Sequence, residues 1–304
     1  MSLRPVKIIA GPTASGKTAH AIDIGLKEDG VVINADSMQI YDALPMLSAQ
    51  PDEEERAQIA HYLYAALPPQ DKCSAARWRA LALAEIDKAH AAGKLPLIVG
   101  GTGFYIKALI DGLSPIPDVP DDIRTAAEAL QRELGNPGFH AALAEKDPEM
   151  AERLHPNDTQ RLVRAWEVFA ATGKSLAYWQ AQPPADMPED LLFDIMLVMP
   201  EKAVLDERCH RRFDRMIAQG VMDEVRELDG LISDGTVPED AAITNALGFH
   251  PLRAYLKEQL SLEEAIERSK IETCQYAKRQ GTWFRNQIRP NAGHDRVANI
   301  EIIG

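Results

Sequence analysis

The sequence predicts an α/β protein with a parallel-sheet core and an inserted all-helical domain. Three observations carry this. Short apolar runs rich in β-branched residues alternate with helical patterns through the first hundred residues, which is how a parallel sheet with crossover helices reads. The first run ends in a glycine-rich loop that opens a helix. Prolines crowd residues 115–200, which hold ten of the chain's 20 and no convincing strand before Leu191.

Val6–Ala10 is the first strand and Thr18–Lys27 the first helix. Val31–Ala35 is a second strand and His61–Leu67 a weaker third. Asp52-Glu53-Glu54-Glu55 reads as a solvated helix start, because acids there complement the helix dipole. Ala75–Ala92 is an Ala/Leu-rich helix stopped by Gly93. Leu95–Val99 is the next strand, followed by Gly100-Gly101 and a helix over Gly103–Ile110. The pattern changes near Ser114. Short helices follow at Asp121–Leu134, Asp147–Leu154 and Thr159–Thr172, where Trp166 and Phe169, three apart, read as core. Leu191–Met199 resumes the sheet. Residues 1–113 and 191–304 therefore form a discontinuous core, and 114–190 the helical insertion. The last third is mostly helical, with breaks at Gly220, Gly235 and Pro251, and Val297–Ile303 is a final strand.

Composition bounds the function. The 304 residues suffice for about two domains. With 45% hydrophobic and 26% charged residues, the chain is neither wholly disordered, nor collagenous, nor a small disulfide scaffold. Net charge is −13, so the surface as a whole does not attract polyanions. Residues 268–296 reverse this locally. Arg268, Lys270, Lys278, Arg279, Arg285, Arg289 and Arg296 against Glu272 and Asp295 give +5 and leave −18 elsewhere. Such a segment fits one localised anionic partner or a solvated helix face. Cys73, Cys209 and Cys274 are too scattered for a disulfide framework or a zinc site and fit a reducing compartment. The start, MSLRPVKIIAGPT, has no signal-peptide apolar region, and no apolar stretch is long enough to span a bilayer. The expectation is a cytoplasmic monomer without membrane contact.

Gly11-Pro12-Thr13-Ala14-Ser15-Gly16-Lys17-Thr18 matches G-x-x-x-x-G-K-[ST] between a strand and a helix, which makes the core P-loop NTPase-like. Glycines let successive N–H groups converge on phosphate oxygens, and the helix N-terminus adds partial positive charge. Lys17 neutralises a terminal phosphate oxygen, and the Thr18 hydroxyl is a candidate Mg²⁺ ligand. A di- or triphosphate is the expected ligand; the reaction is left open. Asp36 follows the second strand, and ligands of open parallel sheets bind at the strands' carboxyl ends. It can hold Mg²⁺, accept a proton or cap the next helix.

Four stretches, GPTASGKT at 11–18, ADSMQIY at 35–41, GGTGFY at 100–105 and HPNDTQRLVRAWEV at 155–168 followed by TGKS at 172–175, together with AKRQGTW at 277–283, resemble the tRNA dimethylallyltransferases in order and spacing. The resemblance covers nearly the whole chain. It implies transfer of a dimethylallyl group from dimethylallyl diphosphate to the exocyclic amine of the adenine 3′ of the anticodon, with release of pyrophosphate. On it, residues 11–18 hold the diphosphate with Mg²⁺ on Thr18, and the insertion grips the anticodon stem-loop of tRNA. Asp36 looks like the family's general base, assisted by Lys17, Ser48 and Arg164 on the pyrophosphate. Asp36, Ser37, Met38 and Gln39 would meet a flipped-out base. Thr102, Arg124, Gln160, Arg161, Leu162, Val163, Arg164, Lys278 and Arg279 match positions that contact tRNA.

Arg161 and Arg164 share a helix face. Each fits a phosphate contact or an ion pair with Asp158 or Glu167. Where the family commonly has G-T-A-K-P, this chain has Leu47-Ser48-Ala49-Gln50-Pro51. Ser48 keeps a hydroxyl, and Gln50 removes a charge. Three rival readings share the core. A small-molecule kinase leaves the helical insertion without purpose. A prenyltransferase of free adenine nucleotides does not need Lys278 and Arg279. An RNA-binding NTPase would turn over ATP without transfer.

Overall fold

The computed structural model describes residues 3–184, 186–288 and 296–304. Its first half runs β1 (Arg4–Ala10), α1 (Lys17–Lys27), β2 (Gly30–Asn34), α2 (Glu53–Gln58), β3 (His61–Tyr62), α3 (Ala75–Ala91), β4 (Leu95–Gly100) and α4 (Gly103–Asp111). Helices α5 (Asp121–Lys146), α6 (Pro148–Arg153), α7 (Thr159–Thr172) and α8 (Leu176–Gln180) follow. The chain ends with β5 (Leu191–Val198), α9 (Lys202–Ala218), α10 (Val221–Ser233), α11 (Phe249–Leu256), α12 (Leu262–Gln287) and β6 (Val297–Ile303).

The strands form one sheet in the order β3-β2-β4-β1-β5-β6, and every pairing is parallel. The apolar runs explain the layering. Ile8, Ile9, Ile33, Leu97, Ile98, Phe193 and Ile195 are buried, as in sheets with helices on both faces. Each such side chain contributes about 1.5–3 kcal/mol of burial free energy.

By internal contacts the chain divides into two units. One comprises Met1–Asp111 with Pro188–Gly304 and contains the sheet; the other, Gly112–Met187, is helical. The helical unit has its own core of Phe139, Leu143, Met150, Leu162, Ala165 and Val168. Trp166 packs at its border, 5.3 Å from the Phe139 ring.

The third strand is shorter than the pattern His61–Leu67 predicts. Leu63 (φ 62°) and Ala65 (φ 49°) take left-handed conformations, which an extended strand cannot contain. Within α5 the helix is broken at Gly135 (φ 63°, ψ 173°), where the sequence predicts its end after Leu134, and a second helical stretch containing Pro137 runs on to Lys146. Pro251 does not break the C-terminal region. It sits in the first turn of α11, where its missing N–H costs nothing. The acidic run at 52–55 starts α2 with a capping box. Asp52 Oδ1 accepts from the Glu55 amide at 2.8 Å, and Glu55 Oε2 accepts from the Asp52 amide at 3.1 Å. Of the basic segment, Arg289 and Asp295 lie outside the described residues.

Candidate active site

Strands β2, β4 and β1 are consecutive in the sheet. The segments leaving their carboxyl ends are ADSMQIY, GGTGFY and GPTASGKT. Sheet order therefore brings three stretches far apart in sequence to one edge, where open α/β sheets bind ligands.

The loop after β1 is shaped by Gly11, Ala14 and Gly16. A side chain on Gly11 (φ 155°) would sit 2.2 Å from the Val198 carbonyl oxygen. Ala14 is left-handed at φ 60°, a conformation that costs a non-glycine residue about 1–2 kcal/mol. Its neighbours are tethered on both sides. The Thr13 amide donates to Gln280 Oε1 at 2.9 Å, and Arg212 Nη2 donates to Thr13 Oγ1 at 2.5 Å. Arg208 Nη1 donates to the Ser15 carbonyl at 2.9 Å. Right- and left-handed residues in alternation point backbone N–H groups into a common concavity suited to anions. The Ser15 hydroxyl is buried there, and among the described residues it has no hydrogen-bond partner.

Lys17 Nζ donates to the Pro12 carbonyl at 2.7 Å. Burial pushes its ammonium down to about 8; Asp36 opposes the shift and Arg212 adds to it. Burial likewise lowers Arg212, against Cys209 and Asp36. Lys17, Arg212 and Asp36 thus lie within one another's electrostatic reach. Two desolvated cations beside one carboxylate can take up a multiply charged anion.

Asp36 is positioned by fully buried Asn34. Asn34 Oδ1 accepts from the Asp36 amide at 2.8 Å, and Asn34 Nδ2 donates to the Asp36 carbonyl at 3.1 Å. Asp36 Oδ1 accepts from the amides of Met38 at 2.9 Å and Gln39 at 3.4 Å. Oδ1 thus caps the following turn, and Oδ2 is left without a donor among the described residues. Thr102 Oγ1 accepts from the Ser37 amide at 2.9 Å, which joins the β2 and β4 loops.

The segment around Ser48 is held from two sides. Gln39 Nε2 donates to the carbonyls of Ser48 and Ala49 at 2.9 and 2.8 Å. Glu224 accepts from the amides of Met46 and Leu47 at 2.8 and 3.0 Å. Gln50 is a structural residue here: its amide donates to the Tyr41 carbonyl at 2.8 Å and accepts from Arg56 at 3.1 Å.

Lys278 and Arg279 are exposed on α12. With Gln275, Thr282, Trp283 and Asn286 they line a groove of about 550 Å³. Trp283 lies against Gly103, where any side chain would approach the indole ring to 2.2 Å. A second groove, of about 580 Å³, opens among Gly25, Gly30, Ile59 and Lys94, at the opposite end of β2 and β4 from the motif loops.

The remaining sequence-predicted residues belong to the helical unit. Gln160 and Arg161 are exposed, and Arg161 lies 3.3 Å from Asp158. Arg164 pairs with Glu167 at 3.2 Å, and Arg124 approaches the same carboxylate at 3.8 Å. Glu167 is buried, so these are more than surface pairs. The expectation for Leu162 is corrected. It is 0% exposed in the helical core, and its side chain does not reach RNA. A run of five consecutive helical residues cannot present one face; α7 turns Leu162 and Ala165 inward.

Sequence reasoning missed Arg208, Arg212, Gln280 and Glu224. The arginines stand four apart on α9, one turn of helix, but in RCHRRFDR they are two of four and nothing local separates them.

The residues fit Mg²⁺ in a restricted sense. Among the described residues no group of three or more His, Cys, Asp or Glu can hold a metal. One hydroxyl, Thr18, in the first turn of α1, with Asp36 on the facing loop, suits an ion held mainly by diphosphate oxygens and water.

Fold and site define a phosphate-loop α/β protein with a helical insertion. A family model described as IPP transferase matches residues 39–287. The chain is 49% identical over 285 residues to a tRNA dimethylallyltransferase of Rhodospirillum centenum, covering 94% of this chain and 90% of that protein. It is 43% identical over 300 residues to one from Parvibaculum lavamentivorans, covering 97% and 94%. The crystal structure of a Bacillus halodurans tRNA isopentenylpyrophosphate transferase superposes with a TM-score of 0.66 at 32% identity, covering 99% of this chain and 90% of that one. A eukaryotic dimethylallyltransferase acting on tRNA gives 0.78 at 28% identity, covering 92% and 70%. The chain belongs to the IPP transferase family. Among the described residues no helix is long and apolar enough to cross a membrane.

Proposed function

We propose that this protein transfers a dimethylallyl group from dimethylallyl diphosphate to the N6 amine of the adenine 3′ of the anticodon in tRNA, releasing pyrophosphate. One observation carries the reading: Asp36 and the cations Lys17 and Arg212 converge where the β2, β4 and β1 loops meet. The amine nitrogen forms a bond to the allylic carbon as that carbon's bond to the diphosphate oxygen breaks. Asp36 Oδ2 orients the amine and takes its proton. Lys17, Arg212 and the loop amides take the charge that develops on the leaving pyrophosphate. Ser48 assists there. Thr18 would hold Mg²⁺, which supplies further charge neutralisation on the diphosphate.

The adenine leaves its stack to reach Asp36, against Ser37, Met38, Gln39 and Thr102. Arg124, Gln160, Arg161, Val163 and Arg164 of the helical unit hold the anticodon stem-loop. The protein acts as a cytoplasmic monomer.

The test is an incubation with Mg²⁺, radiolabelled dimethylallyl diphosphate and unmodified tRNA, with AMP and ATP in parallel. Label in tRNA alone is expected, mapping to the base 3′ of the anticodon. Label in AMP or ATP alone overturns the tRNA assignment. No label anywhere, with phosphate transfer from ATP, favours a kinase.

Lys278 and Arg279 take RNA phosphates, which position without specifying sequence. Replacing both by Ala should weaken tRNA binding and flatten the plot of log affinity against log salt by about 1–2 in slope. An unchanged slope removes this face from the RNA.

A further inference from the structure

Within AKRQGTW, Lys278 and Arg279 face outward, whereas Gln280 is only 7% exposed and turns to the loops. Its Oε1 accepts from the Thr13 amide at 2.9 Å, and its Nε2 donates to the Gly101 carbonyl at 2.8 Å. The carboxamide therefore bridges two loops that belong to neighbouring strands. We propose that Gln280 is a positioning residue for the diphosphate. It holds the phosphate loop in its anion-binding shape before the ligand arrives, and this rests on the function proposed above.

The argument starts from Ala14. Its left-handed conformation persists only where the surroundings over-determine it. The tethers that do so are Gln280 and Arg212 on Thr13, and Arg208 on Ser15. Both arginines are cations that a diphosphate would draw toward itself. Gln280 is neutral and buried, so its hold on the loop is the same with the site full or empty. It also removes the Thr13 N–H from the set available to phosphate, so the nest begins at Ala14. Without Gln280 the loop relaxes toward ordinary backbone conformations, and each diphosphate must reorder it on binding.

The consequence is specific to the donor. Gln280→Ala should weaken inorganic pyrophosphate binding by about tenfold, the size of one hydrogen bond with its share of preorganisation. The KM for dimethylallyl diphosphate should rise in parallel, with tRNA affinity within about twofold of the parent. A second change separates positioning from general stability. Glycine adopts φ near 60° at no steric cost, so Ala14→Gly in the Gln280→Ala background should restore most of the lost pyrophosphate affinity. Gln280→Glu should not rescue, since it can accept from Thr13 but cannot donate to Gly101.

Calorimetry with inorganic pyrophosphate on the full chain, tRNA binding and melting curves decide the matter. Unchanged pyrophosphate affinity in Gln280→Ala, while the parent binds and transfers, overturns the inference and leaves the function standing. So does a joint loss of pyrophosphate and tRNA affinity that Ala14→Gly does not repair. A parent chain that neither binds pyrophosphate nor transfers the prenyl group overturns both.

Discussion

Asp36→Asn should lower turnover by about 10²–10⁴-fold, the usual range for removing a positioned general base, and leave tRNA affinity within a few-fold. Asn is the informative substitution. Asp36 Oδ1 accepts from the amides of Met38 and Gln39, and an Asn oxygen can keep both. Ala would remove that cap as well, at a cost of about 1 kcal/mol, and mix a folding defect into the kinetics. Asn34 still fixes the backbone of residue 36. What Asn lacks is a basic oxygen at the Oδ2 position. The loss should therefore fall on kcat, with the KM for dimethylallyl diphosphate little changed. Single-turnover transfer at saturating tRNA is the measurement. Near-parental turnover in Asp36→Asn would mean that the carboxylate only shapes the turn after β2, and another acceptor takes the proton.

How far the sequence reveals this site follows from the range of the interactions that build it. The phosphate loop is local: strand, glycines, Lys17 and helix lie within two dozen residues, and the motif is readable in one pass. Asp36 is nearly as accessible, because a carboxylate at the end of a parallel strand falls on the ligand edge by topology alone. That the loops after β1, β2 and β4 share this edge follows the same logic, since all three strands are parallel, whereas their order β2-β4-β1 is seen only in the sheet. Arg212 and Gln280 obey no local rule. Arg212 reaches Thr13 across 199 positions and Gln280 across 267. Gln280 even sits inside a recognisable motif whose neighbours Lys278 and Arg279 point the other way. Helical periodicity separates them only once the buried face of α12 is known.

The same distinction explains two of the failures of local pattern. The stretch His61–Leu67 is apolar enough for a strand, yet left-handed Leu63 and Ala65 turn it so that the Leu63 carbonyl accepts from Asn34 at 3.0 Å. There the support of Asp36 overrides β propensity. Leu162 lies within a run that contacts RNA by resemblance, but its position on α7 commits it to the core. A motif assigns a segment to a ligand, and the helix assigns each residue of it to a side.

Lys17→Met should abolish transfer and at the same time stabilise the unliganded protein at neutral pH. In water a lysine titrates near 10.4; in the fold, burial brings Lys17 down to about 8. Between these values the unfolded chain binds more protons than the folded one, so stability rises with pH through that window. Below it, the buried ammonium costs the fold on the order of 3 kcal/mol. Methionine has similar length and no charge, so its advantage should be full at pH 7 and fade as pH climbs from 8 toward 10. Diphosphate reverses the sign. A bound polyanion restores the ammonium, so binding between pH 8 and 9.5 must take up protons, and affinity must fall as pH rises through that range. Calorimetry with pyrophosphate in buffers of different ionisation enthalpy reads the uptake directly, expected at about half a proton to one proton. Lys17→Met should show none from this group, with affinity lower by about 10–100-fold for the lost charged contact. Equal uptake in both proteins would place the titrating group elsewhere. A methionine variant less stable than its parent at pH 7 would mean that Lys17 is held by neighbours that already compensate its charge, and the loop would not be waiting for an anion.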